Sequence, residues 1–182
     1  MLRAAIEVFN RQGYDGTSIA DVARELGVTK SAVYHHVPSK EHLLAHAVDE
    51  ALDALGSALD EVDALDADAG ARLRHAVRRS VEVLLEHLPA VTLLLRVRGN
   101  IGVEQRALER RREIDHRLAR MVSAAAEEGA IRADLDPLLV SRLLFGMVNS
   151  LVEWARPDHD AYHDVDTLAD HLTAIAFEGL QS

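Results

Sequence analysis

Three groups of residues in this sequence have the types and spacing for chemistry. The first is TKSAVYHHVPSKEH, Thr29 to His42, which holds both lysines of the chain, Lys30 and Lys40, around Tyr34, His35 and His36. Ammonium, hydroxyl and imidazole groups three and four residues apart on a helix share a face, and such a face can hydrogen-bond a polyanion. The second group is His42 and His46, one helical turn apart, a spacing that can hold a metal ion. No acidic third ligand stands in register, and HLLAH lacks the glutamate of a zinc-protease helix, so a solvated face is the expectation. The third is PDHDAYHDVD, Pro157 to Asp166, with two histidines and four aspartates. It could bind a divalent cation, but a polar loop whose acids cap the next helix is the stronger expectation. No metal site and no cofactor are therefore expected. No nucleophile–base–acid set, phosphate loop or carboxylate pair can be assembled either, so the chain is not expected to be an enzyme.

These side chains must be positioned by helices. Apolar residues make up 48% of the 182, aromatic ones only 4%, and Ala, Leu and Val dominate, a mix that favours helix over strand. Cysteine is absent, which excludes disulfides and thiolate metal sites and suits a reducing cytoplasm. The longest apolar run, LLVSRLLFGMVNSLVEWA, is interrupted by Arg142, Asn149 and Glu153, so no membrane span is expected. A formal net charge of −10 argues against indiscriminate coating of nucleic acid, not against a small local face for it.

Apolar spacing of three and four marks about nine helices and no strand. Leu2, Ala5, Ile6 and Phe9 stripe the first, which Gly13 ends. Ile19, Val22, Ala23 and Leu26 stripe the second, opened by Thr17 or Ser18. Thr29 caps a short third helix to about His36, and Ser39 caps the fourth. DALDADAG, Asp63 to Gly70, reads as a linker. Helices follow from about Ala71, Pro89, Val103, Asp136 and Asp166. RALERRREIDHRLAR, on the seventh, mixes charges at helical spacing and is expected to be a solvated, ion-paired face. The eighth is apolar nearly all round, which points to a subunit interface.

Helices two and three are joined by only GVT, a connection that forces a steep helix-turn-helix crossing. Ala23 and Gly27 are expected where the backbones meet, and Val22, Leu26, Val28 and Val33 form the seam. The opposite face of helix three then shows Lys30, Ser31, Tyr34 and His35 to a major groove. Thr17 and Thr29, at helix N-termini, suit phosphate oxygens. Lys30 and Ser31 can reach base edges, and His35 a base or a phosphate. Tyr34 and Lys40 suit phosphates. His36 is expected to turn toward the body.

The stretch AAIEVFNRQGYDGTSIADVARELGVTKSAVYHHVPSKEHLL resembles the DNA-binding domain of the TetR (tetracycline-repressor) family of bacterial regulators, over about residues 2–50. The GYDGTS turn and the spacing of the following core carry the likeness. It implies a DNA-binding domain at 1–50 and an effector-binding and dimerisation domain at 51–182. It also implies that Thr17, Thr29, Lys30, Ser31, Tyr34, His35 and Lys40 touch DNA. The family's effector pocket lies among helices five to eight, where Leu84, His87, Val91, Leu94 and Leu95 are candidates. Ile114, Leu118, Phe145 and Asn149 are candidates from the later helices. Helices eight and nine, through Leu144, Met147, Val148, Leu151, Trp154, Leu168, Leu172 and Ile175, would pair two chains. The implied function is a cytoplasmic, homodimeric repressor that binds double-stranded operator DNA and is released by a small, apolar effector. Its rivals are a helical ligand-binding or scaffold protein without DNA binding, favoured by five Lys+Arg against seven Asp+Glu in residues 1–50, and a metal-dependent helical enzyme.

Overall fold

Caps and glycines set most of the helix boundaries. The computed structural model describes residues 1–155 and 164–179, and these form nine helices and no strand. Helix α1 (Leu2–Gln12) buries Ala5, Ile6, Val8 and Phe9 and stops at Gly13, which adopts φ 77°. Then come α2 (Ile19–Glu25), α3 (Lys30–His36), α4 (Lys40–Asp63), α5 (Ala69–Glu86), α6 (Leu88–Arg96), α7 (Gly102–Glu127), α8 (Pro137–Trp154) and α9 (Val165–Glu178). Asp136 caps α8 by accepting the Leu139 N–H at 2.7 Å, with Pro137 in the first turn. Asp164 caps α9. The rest of the His/Asp loop considered for a cation, residues 157–163, lies outside the described residues. No helix among the described residues is long and apolar enough to cross a membrane.

Packing divides the chain into two compact units. Unit 1 takes Met1–Leu52 together with His87–Glu109, and unit 2 takes Asp53–Glu86 and Arg110–Ser182. The divisions fall inside α4, between α5 and α6, and inside α7.

In unit 1, α1 packs on α2 and α6, and α2 on α3. The Asn10 side-chain amide donates to the Pro89 carbonyl at 2.8 Å, and the Arg96 guanidinium donates to the Asn10 carbonyl at 2.8 Å. The turn between α6 and α7 is held by one acid. Glu104, 7% exposed, accepts the N–H groups of Gly99 and Asn100 at 2.8 Å and of Arg98 at 3.3 Å through one carboxylate oxygen. Three orphaned donors would follow its removal, so Glu104→Ala should cost about 2–4 kcal/mol in urea unfolding. Glu104→Gln, whose amide oxygen still accepts, should cost less than half of that.

In unit 2, α5 packs on both α8 and α9. A Cβ on Gly70 would meet the Ala130 Cβ at 2.6 Å, so only glycine allows that approach. Arg78 of α5 gathers Glu82 at 2.9 Å, Asp166 at 2.7 Å, and Asp170. The charged stretch of α7 is ion-paired, but across helices rather than along its own face. Arg117 meets Asp60 at 2.7 Å and Asp63 at 2.5 Å, and Arg110 meets Asp53.

Candidate nucleic-acid interface

Helix α2 is started by a reciprocal cap. Ser18 Oγ accepts the Asp21 N–H at 3.3 Å, while the Asp21 carboxylate accepts the Ser18 N–H at 2.9 Å and its hydroxyl at 2.6 Å. Those bonds, with a further one from Arg24, hold Asp21 down at about 2. The chain leaves α2 through Gly27 at φ 67°. A Cβ there would meet nothing within 4 Å, so Gly27 serves backbone conformation and not the close crossing expected of it. Thr29 Oγ1 then accepts the Ala32 N–H at 3.2 Å and starts α3.

Val33 is 1% exposed and fixes which way α3 faces. On the other side Thr29, Lys30, Ser31, Tyr34 and His35 are all exposed, as the helical spacing predicts. The Lys30 ammonium lies 5.7 Å from the centre of the Tyr34 ring. Seven residues make a helix about 10 Å long, short enough to enter a major groove end-on or side-on. The face carries no acid, so it is a local island of donors on an acidic chain.

Four residues are placed otherwise than the sequence suggests. Thr17 is 3% exposed, and its hydroxyl donates to the Gly13 carbonyl at 2.7 Å. It closes the α1–α2 turn instead of facing a phosphate. Lys40 is drawn back over the same turn: its ammonium donates to the Tyr14 carbonyl at 2.8 Å and sits 4.1 Å from the Tyr14 ring centre. In this state Lys40 ties the start of α4 down rather than reaching outward. Burial first, then the charges of Glu41, Asp15 and Glu104, push Tyr14 up to about 12, so the ring under Lys40 stays neutral. His36 is exposed, not packed inward, because α3 ends at that residue and the extended Val37, 4% exposed, takes the inward position. Val28, assigned to the seam, is 47% exposed beside α3. The end of a seven-residue helix leaves no further turn from which periodicity could have read His36.

The effector candidates fall in both units. Val91 and Leu94 are buried in unit 1, and Leu84, Leu118 and Phe145 in unit 2, with Ile114 and Asn149 half-buried there. His87 is engaged within unit 1 by Glu50, Nδ1 to Oε1 at 3.1 Å, so its ring is already partnered. A cleft of about 660 Å³ in unit 1 takes in Leu95 with Phe9, Tyr14, Leu44, Leu93 and Val97.

The residues expected at the dimer face divide by burial. Leu144, Val148, Leu151 and Leu172 are 1–8% exposed and belong to the interior of unit 2. Trp154 and Ile175 are exposed, and Met147 and Leu168 half-buried. The exposed stripe of α8 is instead Leu139, Leu143, Gly146, Ser150 and Trp154, spaced three and four apart, with Leu139 at 53% and Leu143 at 61%.

Among the described residues, no group of three or more His, Cys, Asp or Glu side chains is placed to hold a metal.

Comparison with known proteins finds matches along the whole length. Residues 1–47 match the family described as bacterial regulatory proteins, tetR family, and residues 66–180 match the tetracyclin repressor-like C-terminal domain. The chain is 27% identical to the HTH-type transcriptional repressor KstR2 of Rhodococcus jostii over 185 aligned positions, covering 100% of this chain and 90% of that protein. A crystal structure of a TetR-family regulator from Streptomyces coelicolor superposes with TM-score 0.93 at 49% identity, over 100% of this chain and 90% of that one. AibR, crystallised with isovaleryl coenzyme A and operator DNA, superposes with TM-score 0.82 at 25% identity, over 97% and 95% of the two chains.

Proposed function

The chain belongs to the TetR family of bacterial transcriptional regulators, a DNA-binding family, and from that premise we propose how its own residues do the work. Two chains pair about a two-fold axis through the exposed apolar stripe of α8, with α9 beside it. Pairing sets two copies of α3 in successive major grooves, so the operator is a palindrome with half-sites about one helical turn apart or a multiple of that, 10–10.5 bp. Lys30, Ser31 and His35 read base edges. Thr29 and Tyr34 fix register on phosphates. Lys40 joins them by leaving Tyr14. Thr17 acts indirectly, by shaping the turn that presents α2.

The effector presents a small apolar group, such as a short acyl chain, to the helices after residue 51, and it binds the DNA-incompetent arrangement better, which shifts the population off the operator. Short-chain acyl-coenzyme A is the class to try first, because AibR binds isovaleryl coenzyme A on the same fold. The work is binding and not catalysis, and a regulator of bacterial genes acts in the cytoplasm.

The observation that carries this reading is the exposed, acid-free face of α3 on a chain that is otherwise acidic. An electrophoretic shift with a palindrome upstream of the protein's own gene tests it at moderate salt. A retarded complex that random DNA cannot displace is expected, and no retardation even at low salt would contradict it. A complex that no acyl-coenzyme A releases would keep DNA binding and remove only the effector class.

A further inference from the structure

Helical spacing alone makes His42 and His46 an ordinary solvated pair on α4, but the side chains converge. Their Nε2 atoms lie 3.0 Å apart, with ring centres at 4.4 Å and planes at 83°. Both residues are exposed, and neither ring has any other partner among the described residues. Beneath them the helix is rigid. Ser39 Oγ accepts the His42 N–H at 3.1 Å, and Leu43, Leu44, Ala47 and Val48 between and beyond them are 0–1% exposed.

Two imidazole nitrogens at this distance can share a proton, one donating to the other's lone pair. They can equally share a metal ion in its place. Metal–imidazole bonds are about 2.0–2.1 Å long, so two donors at a right angle lie about 2.9 Å apart, while a tetrahedral angle spreads them to about 3.3–3.4 Å. The observed 3.0 Å is the length of an N–H···N hydrogen bond between the rings, and it lies nearer the right-angled than the tetrahedral spacing. Right-angled nitrogen donors suit tetragonal ions, Cu²⁺ and Ni²⁺, better than tetrahedral Zn²⁺. The net charge of −10 also concentrates cations at the surface.

We propose that His42 and His46 form a two-nitrogen chelate for a tetragonal divalent transition metal, copper or nickel. Both imidazoles bind in the neutral form through Nε2. In the neutral pair one ring carries its proton on the shared Nε2 and leaves its Nδ1 bare; on binding that proton moves through water to that Nδ1, so both rings become Nδ1–H tautomers and no proton is released. No third protein ligand stands within reach among the described residues, so water fills the remaining positions and exchanges freely. The site lies on the helix that follows α3, and its occupancy does not depend on the DNA-binding reading.

The test is a histidine-ring NMR titration of the full chain with Cu²⁺ at pH 7.5, in a buffer that does not chelate. Paramagnetic broadening of the His42 and His46 signals should come first, before that of the other histidines, and saturate at one ion per chain. Calorimetry should rank Cu²⁺ above Ni²⁺. His42→Ala and His46→Ala should each weaken Cu²⁺ by about tenfold or more, since a ligand is worth at least as much as its outer-shell partner. Alanine keeps the helix, and circular dichroism checks that it has. Another histidine broadening first, or single variants binding within twofold of the parent, would overturn the assignment.

Discussion

Leu143→Arg is expected to leave a folded chain that runs as a monomer in light scattering and binds its operator at least about a hundredfold more weakly. Leu143 is 61% exposed on a single chain, one turn from Leu139, which is 53% exposed, and beside exposed Gly146. Across a two-fold axis the same stripe meets itself, so an arginine faces either apolar surface or its own copy, and each is an uncompensated charge. Affinity falls because two linked half-site contacts become one. The second contact in a dimer forms at an effective concentration in the millimolar range, and avidity exceeds the single-site affinity by about 10²–10⁴. Gly146→Leu, which fills the space where a partner helix would approach, should act in the same direction and less strongly. A Leu143→Arg protein that stays dimeric at micromolar concentration would move the interface elsewhere.

The second large effect belongs to α3. Lys30→Ala should cost about 1–3 kcal/mol per half-site and relax preference at one base pair in each half. Tyr34→Phe and Thr29→Ala should weaken all sequences alike, because hydroxyls on phosphates carry register and no base identity. Because Lys30 reads a base edge, the slope of log affinity against log salt should fall by less than about one per chain, the drop that loss of a phosphate-bound lysine gives. A competition assay across single-base operator variants separates the two kinds of residue. If Lys30→Ala and Tyr34→Phe lower every variant by the same factor, Lys30 does not read bases. His35→Ala provides an independent check on the same face.

The helices were legible because their start and stop signals are local. Asp136 with Pro137, Ser39, Thr29 and Gly13 each act within one turn, and the structure places each where the spacing put it. The α3 face was legible because one inward residue, Val33, fixes the direction of the others. What was hidden depends on the third dimension. Thr17 and Lys40 look like surface donors until the α1–α2 turn, twenty-six residues before Lys40 in the case of Tyr14, supplies a carbonyl for each. The exposed face of α8 was hidden because the helix is apolar nearly all round, so periodicity points nowhere. Packing against α5 and α9 separates buried Leu144 and Val148 from exposed Leu139 and Leu143. His42 and His46 show the reverse. Their spacing was plain, but their convergence depends on rotamers that spacing does not determine.

A dimer that reads DNA through the exposed face of α3 must select one sequence from many. Selection of bound duplexes from a randomised pool, at moderate salt and with the full chain, tests it without assuming any gene. Enrichment of one palindromic motif is expected, its two halves centred about one helical turn or a multiple of it apart, 10–10.5 bp, with loss of a defined base in each half for Lys30→Ala. Enrichment of no motif, or of one with no two-fold symmetry, would contradict it.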